Sequence, residues 1–158
     1  MEGLLAVLTW ISTLGAALIA GTFFAFSTFI MSALARRPIP EGIAAMQSIN
    51  VVVVQSPFIA VFVGTAATSA FLALMAIFKV DDPRAIWWLA GGALYVVGTF
   101  LLTIRRNVPL NDALAACDAD RPESAVIWKR YLTEWTWWNH VRTAASLAAT
   151  AAYILALR

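Results

Sequence analysis

The apolar residues of this chain stand in long blocks, and this arrangement limits what the chain can fold into. Four blocks, at about 4–34, 57–78, 86–104 and 141–157, reach or approach the roughly 20 residues that a helix needs to span a bilayer. Of 158 residues, 61% are hydrophobic and 13% are charged, whereas a soluble domain averages about 45–50% and about 25%. A water-soluble core of this size cannot bury so much apolar surface, so lipid must solvate much of the chain.

These blocks predict a single all-α domain over residues 1–158, an integral membrane four-helix bundle with short interfacial helices. Two stretches between the spans, at about 40–54 and 121–140, mix apolar and polar residues at helical spacing, so we expect them to lie at the membrane surface. The lipid bilayer is the first partner that this fold implies, and a homo-oligomer is left open as a second.

Proline and capping residues indicate where helices begin and end. Ser56 followed by Pro57 is typical of a helix start, because the hydroxyl caps the first turn and proline needs no N–H there. Asp120 and Glu123 have the spacing of a capping box. Pro109 restricts the preceding residue to extended conformations, so we expect the third span to end before it.

Small residues four positions apart predict where the spans pack closely, because backbones approach only where side chains are short. Such pairs are Ala17 with Gly21 in the first span and, in the fourth, Ala144 with Ala148 and Ala145 with Ala149. We therefore expect the fourth span to be the most tightly packed helix of an antiparallel bundle.

The basic residues predict the orientation of the chain. The segments after the first and third spans hold Arg36, Arg37, Arg105, Arg106, Arg121, Lys129, Arg130 and Arg142, while the opposite side holds Lys79, Arg84 and Arg158. The positive-inside rule then places these segments in the cytoplasm and both termini outside, in the inner membrane of the cell. Because Glu2 stands where a signal peptide carries basic residues, we expect the first span to be retained.

Residue types disfavour several other functions. Lys and Arg form no stripe, so nucleic acid is not an expected partner. The single Cys117 and the single His140 supply no cluster of metal ligands, and haem ligation would rest on His140 and Met46 alone. We therefore predict no metal site and no cofactor.

Two polar clusters interrupt the apolar pattern, at residues 107–112 (NVPLND) and 134–142 (EWTWWNHVR). Amides, carboxylates and guanidinium groups at a membrane boundary are unfavourable unless paired or solvated, so their concentration there favours a functional site. His140 is the side chain best suited to proton transfer near neutral pH. On a helix, Trp135, Asn139 and Arg142 form one stripe, and His140 lies about 100° around from Asn139.

Each of these polar groups also has a structural explanation. His140 and Arg142 would sit among lipid headgroups, with Trp138 stacked on Arg142. Asn111 or Asp112 would cap a short helix after Pro109.

The amides that flank the valine run 51–54 have a structural explanation as well. Gln47 and Asn50 would hydrogen-bond across helices, since a buried amide is costly without a partner.

Three motifs in this order resemble the anthrone oxygenase-like family of small membrane proteins. The motifs are Met46-Gln47-x-Ile49-Asn50, Asn107-x-Pro109-Leu110-Asn111, and Trp135-x-x-Trp138-Asn139-His140-x-Arg142. The resemblance covers nearly the whole chain, from Gly21-Thr22-Phe23-Phe24 to the fourth span. It implies a four-helix membrane protein whose fungal relatives convert anthrones to anthraquinones with dioxygen and no evident cofactor.

The residues permit that chemistry, in which a proton is removed beside an aromatic ketone and the electron-rich anion reacts with dioxygen. His140 is then the candidate base, oriented by Asp112 or Glu134. Candidate donors to the oxyanion are Asn107, Asn139 and Arg142. Candidate substrate-binding residues are Trp135, Trp138, Asn50, Gln47, Asn111 and Asp112.

Two other classes of function stay open at this stage. In the first, the chain is a non-catalytic membrane subunit or lipophile-binding protein, and the Asn, Trp and Arg residues hold the bundle together. In the second it is a small transporter, although the spans lack the mid-membrane acid or broken helix usual for ion coupling.

Overall fold

The computed structural model describes residues 2–158, most of which are helical, and the expected all-α class is confirmed. The helices are α1 (Glu2–Ala35), α2 (Ile39–Gln55), α3 (Pro57–Phe78), α4 (Ala85–Ala115) and α5 (residues 124–156). Short π-helical turns, in which the backbone bonds run from i to i+5, interrupt α1, α4 and α5.

Four of the helices form the bundle, in the cyclic order α1, α3, α4 and α5. Side-chain contacts show that α4 and α5 are antiparallel: Thr99 meets Ser146, whereas Asn107 reaches Trp135. α2 lies outside this ring and contacts the end of α1, the end of α4 and the beginning of α5. It therefore covers the end of the bundle at which both polar clusters lie.

Three helices, α1, α3 and α4, are long and apolar enough to cross a membrane. Their outer faces carry large apolar side chains, including Leu18, which is 63% exposed, and Ile77, which is 61% exposed. The chain is accordingly an integral membrane protein. α5 is not among these three helices, since Asn139, His140 and Arg142 interrupt its apolar residues near the middle of the helix, and its role as a fourth span stays a prediction.

The half of the bundle near Glu2 is packed around large buried side chains, including Trp88, Tyr95 and Tyr153. Glycine allows the helices to approach there. A Cβ on Gly91 would lie 2.6 Å from the Tyr153 ring, and one on Gly92 would lie 2.8 Å from the Ser69 carbonyl oxygen. Side chains at these two positions would force α4 away from α5 and α3.

The small-residue pairs give a mixed result. Ala145 and Ala149 are buried, as expected, and Ala145 lies where a Cβ on Gly98 of α4 would approach it to 2.8 Å. The prediction is wrong for the other pairs, because Ala17, Gly21, Ala144 and Ala148 are exposed. Spacing by four identifies a face of the helix, but several adjacent faces carry the same spacing in an alanine-rich segment.

The helix boundaries depart from prediction where backbone geometry adapts. Ser56 does cap α3, accepting a hydrogen bond from the Phe58 N–H at 3.3 Å. Pro109, however, does not end the third span, since Val108 is helical with φ −59° and ψ −49°. The π turn Thr103–Asn107 precedes it and gives proline a place at the start of a new α-helical turn, where its missing N–H is not needed.

The predicted capping box does not form. α5 begins at Ser124, and the side chain of Glu123 makes no capping hydrogen bond. Asp118 takes over instead: its carboxylate accepts from the Asp120 N–H at 3.1 Å, and its carbonyl accepts from the Ser124 hydroxyl at 2.6 Å. The loop thus closes on itself before the helix starts.

Candidate functional site

Three of the four π-helical turns described in residues 2–158 surround one buried polar cluster. They are Phe26–Ile30 in α1, Thr103–Asn107 in α4 and Tyr131–Trp135 in α5. We call this group the Arg142 cluster, and its members are Ser27, Thr103, Asn107, Asn139 and Arg142. Wider turns of this kind occur often at functional sites, because they displace side chains from the regular helical register.

Arg142 is the centre of the cluster and is only 3% exposed. Its guanidinium donates to Asn139 Oδ1 at 2.7 Å and to Thr103 Oγ1 at 3.2 Å. The Phe23 ring lies 4.1 Å from its Cζ atom and the Trp135 ring 5.1 Å from it. The cation is thus held between two aromatic rings and neutral oxygens.

The guanidinium of Arg142 has no carboxylate partner among the described residues, whose ion pairs all involve other arginines or Lys79. Its Nε atom is buried and has no hydrogen-bond partner. Removing a charge from water is costly unless the charge is paired. The site is therefore suited to receive an anionic oxygen from a ligand.

Asn139 connects the cluster to α1. Its side-chain amide donates to the Phe23 carbonyl at 2.7 Å and to Ser27 Oγ at 2.7 Å. Because its Oδ1 atom accepts from Arg142, Asn139 uses both ends of its side chain and is completely buried. It fixes the guanidinium relative to the π turn of α1.

Asn107 has one free end. Its Nδ2 atom donates to the Trp135 carbonyl at 3.2 Å, while its buried Oδ1 atom has no partner. The buried hydroxyl of Thr136 also has none. Buried polar atoms are normally satisfied, so three unpaired atoms in one region, counting Arg142 Nε, indicate a site that is completed by a ligand or water.

Aromatic rings on α5 border the cluster toward α2. Trp128, Tyr131 and Trp135 are stacked, with ring centroids 5.9 and 5.5 Å apart. Asn111 Oδ1 accepts from the Tyr131 hydroxyl at 2.7 Å and from Trp135 Nε1 at 2.8 Å, and Asn50 Nδ2 lies 3.5 Å from the same hydroxyl. Asn111 is thereby linked directly to Trp135, whose ring contacts Arg142, and Asn50 is linked to it through Tyr131.

Other predicted site residues lie elsewhere. His140 and Asp112 are exposed, and neither hydrogen-bonds to the Arg142 cluster. Glu134 binds Arg130, whose guanidinium holds the pKa of that carboxyl below its usual 4.5, so Glu134 does not orient His140. Gln47 donates to the carbonyls at the end of α4, at Leu114 and Cys117.

Trp138 does not stack on Arg142, as the structural explanation had it. It lies half-buried under Arg106, whose Cζ atom is 4.7 Å from the ring centroid. The rings that contact Arg142 belong instead to Phe23 and Trp135.

Sequence reasoning missed Phe23, Ser27, Thr103 and Tyr131 as members or neighbours of the site. A signal existed for Tyr131, because it continues the stripe of Trp135, Asn139 and Arg142 by one turn toward the N-terminus. Phe23, Ser27 and Thr103 are ordinary residues of apolar spans, and only the packing of α1 and α4 on α5 identifies them.

No group of three or more His, Cys, Asp or Glu side chains suited to a metal ion occurs within residues 2–158. In comparisons with known proteins, a sequence profile described as anthrone oxygenase matches residues 54–152. No curated protein and no solved structure matches the chain. The matched range is more than half of the chain and contains Asn107, Asn139 and Arg142. The chain therefore belongs to the anthrone oxygenase family.

Proposed function

We propose that this chain is a membrane-embedded, cofactor-independent oxygenase that oxidises a flat lipophilic polyphenolic or polyketide substrate of the anthrone type with dioxygen. The observation that carries the proposal is Arg142, a buried cation held between aromatic rings, for which residues 2–158 supply no carboxylate partner. Family membership supports the reaction class.

The proposed reaction converts an aryl CH₂ group to a ketone. Loss of one proton from the CH₂ carbon to water gives an anion whose charge is delocalised onto the carbonyl oxygen. That anion transfers electrons to dioxygen, and a C–O bond forms at the former CH₂ carbon to give a peroxide that takes up a proton. Loss of the remaining C–H proton and cleavage of the O–O bond give the quinone and one water, so that anthrone and O₂ yield anthraquinone and H₂O.

In this proposal Arg142 donates to the carbonyl oxygen as its negative charge develops. A donor held in place in a water-poor site stabilises such a charge far more than water does, and the loss of one donor costs about 100- to 1,000-fold in rate. Asn139 positions the guanidinium through its 2.7 Å hydrogen bond. Asn107 and Thr136 offer the unpaired oxygens that would bind hydroxyl groups of a polyphenolic ring.

Access from the lipid is the second element of the proposal. An apolar groove of about 400 Å³ opens among α1, α2 and α3, lined by Thr22, Ser48, Ile49, Val52, Val53, Ser56 and Phe58. The Phe58 ring packs on Phe23 with centroids 6.2 Å apart, and Phe23 in turn covers Arg142. Rotation of these two rings would connect the groove to the guanidinium for both the substrate and dioxygen.

We further propose the orientation that the basic residues predict, with the Arg142 end of the bundle toward the cytoplasm. A single cysteine at the exposed position Asp120, in a Cys117→Ala background, tests it. A membrane-impermeant maleimide should label this cysteine only after the cells are opened. Labelling of intact spheroplasts would show that the Arg142 end faces the opposite side of the membrane.

One observation favours a second candidate, a non-catalytic membrane subunit. Asn139 and Arg142 together bond to α1 and α4, so the cluster also holds three helices at one end of the bundle. In that case the residues would contribute stability and no turnover.

The test is oxygen uptake and quinone formation by the purified protein in nanodiscs with a model anthrone. Protein-free nanodiscs measure autoxidation, and His140→Ala and Arg142→Lys run alongside. We expect turnover above the protein-free rate, His140→Ala within about twofold of wild type because His140 lies outside the cluster, and Arg142→Lys reduced about 10- to 100-fold because lysine lacks the planar fork.

Each other outcome is informative. Equal rates with and without protein would reject this substrate class and favour the subunit. A loss of about 100-fold or more in His140→Ala with unchanged thermal stability would restore His140 as the base, as the sequence predicted.

A further inference from the structure

A second charged site lies between α4 and α5, outside the Arg142 cluster. It is a surface cleft of about 220 Å³, which we call the basic cleft, lined by Arg105, Arg106, Pro109, Leu110, Ala113, Arg130, Glu134 and Trp138. None of these residues belongs to the Arg142 cluster, so the proposed oxygenase chemistry does not use the cleft.

The basic cleft is strongly cationic. It has three guanidinium groups and one carboxylate, a formal balance of 3 − 1 = +2. Glu134 is bound by Arg130 at 2.9 and 3.2 Å, so its charge is already matched. Arg105 and Arg106 have no acidic partner among the described residues. An anion is therefore the ligand that this cleft attracts.

Trp138 gives the cleft an interfacial character. Its ring lies 4.7 Å from the Arg106 Cζ atom, and its neighbour Trp137 is 61% exposed. Tryptophan is enriched at the level of the lipid headgroups, because its ring is apolar while its N–H group seeks water. The cleft therefore lies at the depth at which lipid phosphates are found.

An apolar stripe runs along α4 to the same place. Val97, Leu101, Ile104 and Val108 are on successive turns and are 60%, 44%, 48% and 38% exposed. Ile104 of this stripe lies in the π turn that carries Arg105 and Arg106, and Val108 directly follows that turn. A ligand that fills both surfaces has an anionic head and a long apolar tail.

We propose that the basic cleft binds the phosphate of an anionic phospholipid, with an acyl chain along the stripe of α4. Arginine suits phosphate because its fork presents paired N–H donors, and basic pockets between membrane helices bind anionic headgroups. A zwitterionic lipid would bring a second cation toward Arg105 and Arg106, and so binds less well. A free phosphate would leave the apolar stripe unused.

Lipid binding at this cleft would also stabilise the neighbouring site. Arg105 and Arg106 belong to the π turn that ends in Asn107, and Glu134 belongs to the π turn that ends in Trp135. A phosphate that bridges α4 and α5 would therefore hold both turns in place. This gives a readout in thermal stability that is independent of oxygenase activity.

The experiment uses full-length protein in phosphatidylcholine nanodiscs, into which phosphatidylglycerol is titrated. The midpoint of thermal unfolding is followed by tryptophan fluorescence, and retained lipids are counted by native mass spectrometry. Arg105→Gln/Arg106→Gln removes the two unpaired charges, and Arg36→Gln/Arg37→Gln removes two exposed charges after α1 as a matched control. Inorganic phosphate and glycerol phosphate, added to protein in phosphatidylcholine alone, test for a soluble anion.

We expect phosphatidylglycerol to raise the unfolding midpoint of wild type and of the control variant, with one lipid retained. In Arg105→Gln/Arg106→Gln, half-saturation should need about tenfold more lipid. Equal retention in this variant would overturn the proposal, as would a wild-type midpoint that is the same in both lipids. An equal rise of the unfolding midpoint with soluble phosphate would show that the cleft binds a free anion and not a lipid, which would overturn the proposal. If Arg105→Gln/Arg106→Gln does not fold, the unfolding midpoints of wild type in phosphatidylcholine and in phosphatidylglycerol decide between lipid binding and no lipid binding.

Discussion

Around Trp88, Tyr95 and Tyr153, the buried polar side chains are neutral, and several bond across helices, as Thr99 does with Ser146 at 2.9 Å and Trp88 with Thr9 at 2.9 Å. Around Arg142, a cation is buried without a carboxylate, and unpaired atoms remain on Asn107 and Thr136. Within residues 2–158 the first half also has two unpaired buried atoms, the hydroxyls of Ser69 and Tyr153, but it has no buried charge. Packing accounts for the first half, whereas we propose that a ligand supplies the missing partner in the second half.

The two halves also differ in their backbone. Glycines in the first half let helices approach to contact distance, which stabilises the bundle by dispersion. In the second half, three π turns direct side chains inward at the expense of regular hydrogen bonding. Substitutions in the first half should therefore change stability, and substitutions in the second should separate stability from activity.

The largest expected loss of stability is for Gly92→Val. Its Cβ would lie 2.5 Å from Ala73 Cβ and 2.8 Å from the Ser69 carbonyl oxygen, and backbone cannot move aside as a flexible side chain can. We expect a loss of about 3 kcal/mol in the free energy of unfolding. Unfolding in mixed micelles measures it, with Gly64→Val as the control, since a Cβ at Gly64 meets nothing within 4 Å. Similar losses in both variants would show that the close packing of α3 and α4 is not what stabilises this half.

The next largest effect is for Asn139→Leu, which leaves the Phe23 carbonyl and the Arg142 guanidinium without their partner. We expect a loss of about 2 kcal/mol. Asn139→Asp is the matched variant, because its carboxylate gives Arg142 a counter-ion. It should lose less stability than Asn139→Leu but should lose turnover, since the guanidinium is then neutralised within the protein. Full turnover in Asn139→Asp would mean that Arg142 does not need to be free of an acidic partner.

A smaller effect is expected for Thr99→Val in the well-packed half. The substitution keeps the shape of the side chain but removes the 2.9 Å hydrogen bond to Ser146, which leaves that buried hydroxyl alone. The loss should be about 1 kcal/mol, with turnover unchanged. Thr28→Val is the control, because the exposed Thr28 hydroxyl donates to its own helix, at the Phe24 carbonyl. A marked loss of turnover in Thr99→Val would contradict the assignment of stability to the first half and activity to the second.

The smallest effect concerns pH at the loop before α4. The Arg84 guanidinium, which donates to Asp82 at 2.7 and 2.9 Å, lowers the pKa of that carboxyl from 3.8 to about 2. Because the pKa is lower in the folded state, the carboxylate stabilises the fold above about pH 4, and this contribution is lost as the pH falls toward 2. It should not exceed about 1 kcal/mol, since the pair lies near the surface. Unfolding midpoints of wild type and Asp82→Asn should converge over this range, and parallel curves would contradict it.

Much of the fold followed from apolar block lengths and from local chemistry such as the Ser56 cap, because these depend on residues close in sequence. The errors at Pro109 and at Asp120 and Glu123 have a common cause. The rule that proline ends a helix failed because a π turn precedes Pro109. The capping-box rule failed because Asp118 closes the loop and occupies the Asp120 N–H. No simple residue pattern marks a π turn, since it arises where helices must align side chains across the bundle.

The predictions for the site also succeed for residues close in sequence and fail for contacts between helices. Asn139, Arg142 and Trp135 lie on one stripe of a single helix, so their proximity was predictable from spacing. Their contacts with Phe23, Ser27 and Thr103 come from other helices and depend on the rotation of α1 and α4 within the bundle. His140 was chosen for its chemistry, but its position one residue from Asn139 turns it to the exposed face. The chemistry of a side chain says nothing about its direction.

We infer that Arg142 serves a ligand and not the stability of the bundle, and Arg142→Met tests this most directly. Turnover with the model anthrone and the unfolding midpoint are measured on the same preparation, beside wild type and the exposed Arg36→Met. We predict turnover reduced about 100-fold or more, with stability changed by no more than about 2 kcal/mol, because relief of the buried charge offsets the lost hydrogen bonds. Unchanged turnover, or a collapse of folding that accounts for its loss, would contradict the account.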